Sequence, residues 1–217
     1  MCQHALPEWV SFLGTKKKNI RLNKGKRFIQ EGDPVTGIYF VCSGKVKVHK
    51  QWVDKELIIR FAHNGAIVGH RGFTTKGNVF PISATTLEPT LVCFIELDFF
   101  LSSLKVNTEL THQLMLFYAD ELKESEQKMY NLVHMTVKHR LASALNQLQD
   151  QFGTTGSGFI NIQLSRQDLA AYIGTTYESL FRMLNELGSE KMITVEGRQI
   201  RIENPLALSR LAKAHMG

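Results

Sequence analysis

Residues 165–187, SRQDLAAYIGTTYESLFRMLNEL, hold two short helical patterns that meet at Gly174. At the start of the first pattern, Ser165 and Asp168 have the spacing of a capping box, which satisfies free amides at the beginning of a helix. Gly174 permits the left-handed conformation that ends many helices, and either of the two threonines after it can cap the next helix. The stretch therefore predicts a helix-turn-helix.

The second pattern has a buried side and an exposed side. Its expected buried stripe is Leu180, Met183, Leu184 and Leu187. Glu178 and Arg182 are four residues apart, so both point away from this stripe in the same direction. A carboxylate can accept a hydrogen bond from cytosine N4, and a guanidinium can bind guanine O6 and N7 together. We interpret the pair as base-reading residues, and an intrahelical ion pair is the alternative.

The flanking segments complete a winged helix. Residues 137–152 have a helical pattern, FINIQL (159–164) reads as a short strand, and residues 192–203 read as two strands about a turn at Gly197. In such domains the second helix of the helix-turn-helix enters the major groove, and its neighbours contact phosphates. The predicted DNA-binding residues are Ser165, Arg166, Gln167, Thr175, Thr176, Tyr177, Glu178, Ser179, Arg182 and Arg198.

A long helix is predicted upstream, because residues 98–136 contain neither glycine nor proline. Heptad spacing places one set of side chains along a single seam, as in a coiled coil. This expected dimer interface is Met115, Tyr118, Leu122, Ser125, Met129 and Leu132. A neighbouring face, formed by Leu110, Leu114 and Phe117, is expected to pack on the preceding domain. We interpret the segment as the dimerisation helix of a homodimer, and the alternative is a core helix within one chain.

Residues 20–97 have mostly a period of two. Short runs rich in β-branched and aromatic residues alternate with glycines, and VKVHK (46–50) shows the alternation of a half-buried strand. This half of the chain predicts an antiparallel sandwich or barrel. With the helical second half, the expected fold class is α+β.

Composition excludes several classes of protein. The chain of 217 residues carries a net charge of +6 and lacks the run of about 20 apolar residues that a membrane span needs. Its first residues do not resemble a signal peptide, so the expected location is the cytosol and no membrane partner is expected. Cys2, Cys42 and Cys93 are too scattered to indicate disulfides or a metal site. No catalytic motif is visible, and we do not expect an enzyme.

These features resemble the Crp/Fnr family of bacterial transcription regulators over nearly the whole chain. GIYFVCSGKVKV (37–48) is similar to the family's cyclic-nucleotide-binding-type β-roll, which is jelly-roll-like, and LSRQDLAAYIGTTYESLFRMLNELGSEKMI (164–193) is similar to its helix-turn-helix. The resemblance implies a β-roll sensor domain (1–106), a dimerisation helix (107–136) and a winged helix-turn-helix (137–217). It also implies palindromic double-stranded DNA and RNA polymerase as partners.

On the recognition helix, Glu178 and Arg182 match a pair that family members often carry. Many members also have arginine immediately before the glutamate, where this chain has Tyr177. The expected half-site therefore differs from the family's usual one.

The segment that corresponds to the family's effector site is VGHRGFTTKGNVFPISA (68–84). Members that bind cyclic AMP hold its ribose with a Gly-Glu pair and its phosphate with an Arg-Ser pair. Here Gly69 precedes His70, and Phe80-Pro81 offers no donor for a phosphate, so we do not expect cyclic AMP. The candidate effector pocket is Val68, Gly69, His70, Arg71, Phe80, Pro81 and Ser125.

Three alternatives stay open for this sensor: an unidentified small ligand, no effector, or haem. An apolar pocket around Val68, Phe73, Phe80 and Ile82 can hold an unidentified small ligand, or its own side chains can fill it in an effector-independent dimer. Some family members carry an iron–sulfur cluster, which needs four thiolates that three scattered cysteines cannot supply. Others are haem-based gas sensors, and His70 is the candidate axial ligand for that alternative.

Overall fold

The computed structural model describes residues 14–75 and 77–213, and Cys2 lies outside them. The chain divides into two compact units. The first runs up to Lys50 and continues over Ile59–Ser125, and the second comprises Gln51–Ile58 and the chain from Glu126 onward. Along the described ranges, no helix combines the length and the apolar character that crossing a membrane requires.

The predicted α+β fold is confirmed, beginning with an antiparallel β-roll. Its strands are β1 (Lys18–Leu22), β2 (Arg27–Ile29), β3 (Gly37–Ser43), β4 (Val46–Trp52), β5 (Lys55–Ala62), β6 (Ile67–Val68), β7 (Phe73–Thr74), β8 (Gly77–Asn78), β9 (Ser83–Thr86) and β10 (Thr90–Glu96). Two four-stranded sheets have the orders β1-β10-β3-β6 and β2-β9-β4-β5, and β7 pairs with β8. In the second sheet, Val46 of β4 lies opposite Thr86 of β9, and Val48 lies opposite Ala84.

The predicted alternation in β4 holds over its first three residues only, because His49 is buried as well. Val46 and Val48 are buried, and between them Lys47 is half-buried. Strands of both sheets contribute to one apolar cluster. Its buried members are Ile29, Val35, Val41, Val46, Val48, Ala62, Val68, Phe80, Ile82, Ala84 and Leu97. Each of these valine, isoleucine, leucine and phenylalanine side chains stabilises the fold by roughly 1.5–3 kcal/mol relative to an exposed one.

Two helices follow the β-roll. Helix α1 spans Leu97–Val106 and helix α2 spans Thr108–His134. Between them, the side-chain amide of the buried Asn107 donates to the Ser103 carbonyl at the end of α1. The face of α2 predicted to pack on the preceding domain does so, because Leu110 is buried and Leu114 and Phe117 pack against a second apolar cluster. That cluster consists of Ile38, Ile67, Cys93, Ile95 and Phe100.

The C-terminal half is a winged helix-turn-helix. Its elements are α3 (Val137–Phe152), α4 (Arg166–Ile173), α5 (Tyr177–Ser189), β11 (Ile193–Glu196), β12 (Gln199–Ile202) and α6 (Pro205–Lys213). Helix α3 packs against the three later helices. The strand predicted at residues 159–164 was wrong, because the segment makes two isolated bridges, from Phe159 to Arg201 and from Ile160 to Thr154, and its later amides bond locally. Asn161 donates to the Gly153 carbonyl and Ile162 to the Ile160 carbonyl, which leaves no ladder.

Arg140 joins the ends of two helices near the start of α3. Its guanidinium donates to the carbonyls of Met135, at 2.7 Å, and Ile173, at 2.8 Å. Longer bonds reach the carbonyls of Leu132 and Gly174. Carbonyls at the C-terminus of a helix lack intrahelical partners and carry partial negative charge. Arg140 therefore fixes the end of α4 relative to the break between α2 and α3.

We expect Arg140→Lys to lower the free energy of unfolding by about 1.5 kcal/mol, measured by urea unfolding. An ammonium cannot span carbonyls that a planar guanidinium reaches together, and bonds from charged donors are the stronger ones. Arg210→Lys, at an exposed position of α6, is the matched control and should change stability by less than about 0.5 kcal/mol. Equal losses in the two variants would contradict the role of Arg140.

Candidate nucleic-acid interface and sensor pocket

Side-chain caps place the two helices of the helix-turn-helix. The Ser165 hydroxyl accepts from the Asp168 amide at 2.9 Å and donates to the Asp168 carboxylate at 2.6 Å, so the predicted cap is present. Gly174 ends α4 with φ 67° and ψ 53°, a conformation that costs other residues about 1–2 kcal/mol. Of the two candidate threonines, Thr176 caps α5 by accepting from the Ser179 amide at 3.2 Å. The two helices therefore meet at a fixed turn.

The exposed face of α5 carries the two predicted base-reading residues, Glu178 and Arg182, which we call the reading pair. Glu178 and Arg182 are both exposed, and the opposite side of the helix is buried through Leu180, Leu184 and Leu187. Within the described residues, neither Glu178 nor Arg182 forms an ion pair or a hydrogen bond. The alternative of an intrahelical ion pair is therefore not formed, and both side chains are available to a ligand. Phe181, which the sequence analysis did not assign to either side, lies between them in sequence and is also exposed.

We expect Thr176→Ala to lower the free energy of unfolding by about 1 kcal/mol, because the first amides of α5 lose their acceptor. The rate of hydrogen exchange at the Ser179 amide should rise by the factor that corresponds to this loss of free energy. Thr175→Ala is the control, since the Thr176 side chain makes the cap. Faster exchange in the Thr175 variant than in the Thr176 variant would refute this assignment.

The wing is tied to the first helix of the motif. Arg166 donates from Nη2 to the Gly197 carbonyl at the hairpin turn, so its guanidinium is partly engaged within the protein. Arg198 at the same turn is exposed, and Gln167 is exposed at the start of α4. These two side chains are free to approach phosphates. The half-buried Ser165 has a structural role as a cap.

An apolar stripe on α2 has no cover among the described residues. Met115, Leu122 and Met129, one heptad apart, are 60%, 60% and 57% exposed, and Val133 continues the stripe. The other predicted seam residues, Tyr118, Ser125 and Leu132, are half-buried within the chain. The Tyr118 hydroxyl donates to the His70 carbonyl, which turns that side chain toward the β-roll. The exposed seam is therefore narrower than the heptad pattern predicted.

A buried carboxylate lies where the sequence analysis placed an effector. Glu121 of α2 is 6% exposed. Its Oε1 lies 2.9 Å from Arg60 Nε, and its Oε2 lies 2.7 Å from His70 Nε2 and 2.9 Å from Arg71 Nη2. His70 and Arg71 belong to a short 3-10 helix and Arg60 belongs to β5. Three basic side chains of the β-roll thus converge on one acid from the long helix, and we call these four residues the Glu121 cluster.

Charge interactions keep the acid ionised. Burial raises the pKa of Glu121, but the hydrogen bond from His70 and the charges of Arg60 and Arg71 outweigh burial and lower the pKa to about 2. Burial lowers the pKa of His70 below its ordinary value, against the opposing effect of Glu121. At neutral pH the imidazole is therefore uncharged and donates from Nε2. Its Nδ1 has no hydrogen-bond partner in the described protein.

The cluster leaves little free space. Four predicted pocket residues, Val68, Gly69, His70 and Arg71, line a cavity of about 10 Å³ together with Val48, Ile59, Arg60 and Ile82. Such a volume holds about one water molecule, whereas ligand pockets have roughly 300–1,000 Å³. Of the residues expected around an apolar pocket, Val68, Phe80 and Ile82 are buried together in the β-roll core and Phe73 packs against them, as in the alternative in which these side chains fill the space themselves. Of the other predicted residues, Phe80 is in the core, and Pro81 and Ser125 are half-buried away from this cavity.

The cysteines and His70 are the candidate ligands for the two cofactors, an iron–sulfur cluster and haem. Cys42 is exposed and Cys93 is buried, and residues 14–75 and 77–213 contain no group of three or more His, Cys, Asp or Glu side chains placed to hold a metal ion. His70 binds Glu121 through Nε2, and the cavity of about 10 Å³ that His70 lines is too small for a porphyrin. The described residues therefore do not fit an iron–sulfur cluster or haem.

Comparisons with known proteins agree with both halves of the structure. The family model of the cyclic nucleotide-binding domain matches residues 19–107, and that of the Crp-like helix-turn-helix domain matches residues 139–211. The transcriptional activator protein Anr of Pseudomonas protegens is 28% identical over 90% of this chain and 81% of its own length. The fumarate and nitrate reduction regulatory protein of Yersinia pestis is 26% identical over 97% of this chain and 83% of its own.

A solved structure has the same fold as this chain. The structure of FixK2 from Bradyrhizobium japonicum superimposes with a TM-score of 0.80 at 23% identity, covering 90% of this chain and 96% of that one. The relatives are transcription regulators and not enzymes, in agreement with the sequence analysis. With a β-roll, a helix-turn-helix and relatives that span both, the chain belongs to the Crp/Fnr family of transcription regulators.

Proposed function

We propose that this DNA-binding regulator acts as a homodimer that reads a palindrome through its two α5 helices and does not respond to cyclic AMP. The observation that carries the proposal is the exposed and unpaired state of Glu178 and Arg182 on a helix fixed by Thr176 and Gly174. Side chains placed in this way can bond to base edges without first breaking an internal contact. Such a role places the protein with the chromosome in the cytoplasm.

The exposed stripe on α2 supports the homodimer. Met115, Leu122 and Met129 are unbranched or γ-branched side chains at heptad spacing, which suits a coiled-coil contact with a second copy of the same helix. A two-fold axis through that contact relates two recognition helices and requires half-sites about one helical turn apart. RNA polymerase is a proposed partner on the basis of family membership alone.

The Glu121 cluster supports the view that cyclic AMP is not the effector. An incoming phosphate would have to displace a carboxylate that Arg60, His70 and Arg71 already hold, in a cavity of about 10 Å³. The same observation favours a second candidate, a regulator without an effector, whose own carboxylate occupies the place of a ligand. A ligand that binds the folded state raises the unfolding temperature. Absence of any rise with cyclic AMP or a metabolite panel would favour this second candidate.

Selection of random duplex DNA on the purified protein, followed by sequencing, tests the proposed function. We expect an enriched motif with two-fold symmetry and two short half-sites. The double variant Glu178→Ala, Arg182→Ala should fold normally and lose the motif, because both side chains are exposed. A motif without symmetry would argue against the dimer, and an identical motif from the double variant would argue against reading by α5.

A further inference from the structure

Two aromatic side chains share the exposed face of α5 with the reading pair. Tyr177 and Phe181 are 47% and 52% exposed, although the helix has a well-formed buried side. Their rings are stacked, with centroids 6.4 Å apart and planes within 10° of parallel. Paired exposed rings forgo the stabilisation that burial gives an aromatic side chain. Such a pair indicates a contact surface for a ligand rather than a packing element.

The position of the aromatic pair identifies what that ligand is. Residues four apart lie one above the other on a helix, so Tyr177 and Phe181 form one row and Glu178 and Arg182 form the adjacent row. If α5 brings Glu178 and Arg182 to the base edges, it also brings Tyr177 and Phe181 into the same groove. The aromatic row is therefore continuous with the proposed DNA-reading surface.

The chemistry of Phe181 narrows its target further. A phenyl ring has no hydrogen-bond donor or acceptor, so it cannot distinguish polar atoms on a base or bind a phosphate oxygen. On the floor of the major groove, the base group that an apolar side chain recognises is the C5-methyl group of thymine. Adenine, guanine and cytosine present polar atoms there instead.

We propose that Phe181 determines specificity by contacting the C5-methyl group of a thymine in each half-site, next to the base pairs that Glu178 and Arg182 read. Tyr177 is a positioning residue that holds the Phe181 ring by stacking. The inference rests on the proposed function, since it requires α5 to enter the major groove. Phe181 thus provides an apolar base contact in addition to the hydrogen bonds of Glu178 and Arg182.

The test replaces single thymines in the selected duplex with 2′-deoxyuridine, which lacks only the methyl group. We expect one thymine position per half-site to be sensitive, with a loss of about fourfold in affinity, the value of burying one methyl group. Symmetrical replacement in both half-sites should cost about 15-fold for the dimer. Phe181→Asn should bind the thymine and uracil duplexes equally and keep its preference at the base pairs that depend on Arg182.

Tyr177→Phe is the matched control, because it keeps the stacked ring and should retain discrimination against uracil. Tyr177→Ala should reduce that discrimination without abolishing binding. Three results would overturn the inference while leaving the proposed function intact: half-sites without thymine, equal affinity of the wild type for both duplexes, or discrimination that persists in Phe181→Asn. Failure of the wild type to select any DNA would overturn both proposals.

Discussion

Replacing Glu121 with alanine is expected to lower the free energy of unfolding by about 3–5 kcal/mol, which is a large share of the stability of a domain of this size. The substitution leaves the buried His70 and the half-buried Arg60 without their carboxylate acceptor, and it removes the ion pairs between α2 and the β-roll. Loss of one partner from a buried pair is costly because the remaining charge stays desolvated. Urea unfolding of the wild type and the variant measures the difference.

Two further variants separate charge from packing. Glu121→Gln keeps the shape and loses the charge, so it should recover only part of the stability. Glu126→Ala, an exposed acid on the same helix, should change stability by less than about 0.5 kcal/mol. If Glu121→Ala were no worse than Glu126→Ala, the cluster would be only a surface contact.

The same cluster predicts how stability depends on pH. The folded-state pKa of Glu121, about 2, lies below its ordinary value of 4.5, so the unfolded state binds more protons between these values. The stabilisation is therefore complete above pH 4.5 and is lost as pH falls toward 2, by about 3 kcal/mol in total. The pKa of His70 is also lowered, mainly by burial, so protonation of the unfolded state begins to cost stability below pH 6.5. His70→Gln should remove this earlier loss, and a wild-type profile that is flat from pH 7 to 3 would contradict both assignments.

The helix-turn-helix could be predicted because its signals are local. Ser165, Gly174 and the buried stripe of α5 lie within 23 residues, and each acts on its own helix or turn. The cap at Ser165 and the left-handed Gly174 are present in the structure as expected. The sequence did not predict a role for Phe181, and the reason is also local. An apolar residue outside the buried stripe belongs neither to the core positions nor to the polar DNA-binding positions. Its spacing of four from Tyr177 was the available signal.

The Glu121 cluster could not be predicted in the same way, because it joins residues far apart in the chain. His70 and Glu121 are 51 positions apart, and no motif relates a basic residue in a β-roll to an acid on a later helix. A weak signal was present, since Glu121 follows Phe117 by four residues on the face predicted to pack on the β-roll. An acid on a buried face requires a cation. Identifying Arg60 as one of them needed the three-dimensional structure.

Replacing Arg182 with alanine is expected to weaken binding to the selected palindrome by roughly 5- to 150-fold per half-site, about 1–3 kcal/mol, and to relax preference at one base pair. Arg182 is exposed and unpaired in the described protein, so the loss reports on DNA contacts and not on folding. Arg182→Lys should lose nearly as much, because an ammonium cannot form the two parallel bonds that a guanidinium makes with guanine. Competition binding against a randomised duplex measures both affinity and preference.

Salt dependence distinguishes a base contact from a phosphate contact in the same experiment. Each neutralised phosphate contributes nearly one unit to the slope of log affinity against log salt concentration. Arg182→Ala should therefore leave that slope close to the wild-type value, and it should spare affinity for random DNA. Arg198→Ala, at the exposed turn of the wing, is the matched control: it should weaken specific and random DNA equally and lower the slope by about one per protomer, or about two for the dimer. A lowered slope and equal losses for Arg182→Ala would place that side chain on the backbone, and base reading by α5 would then depend on Glu178 and the aromatic pair alone.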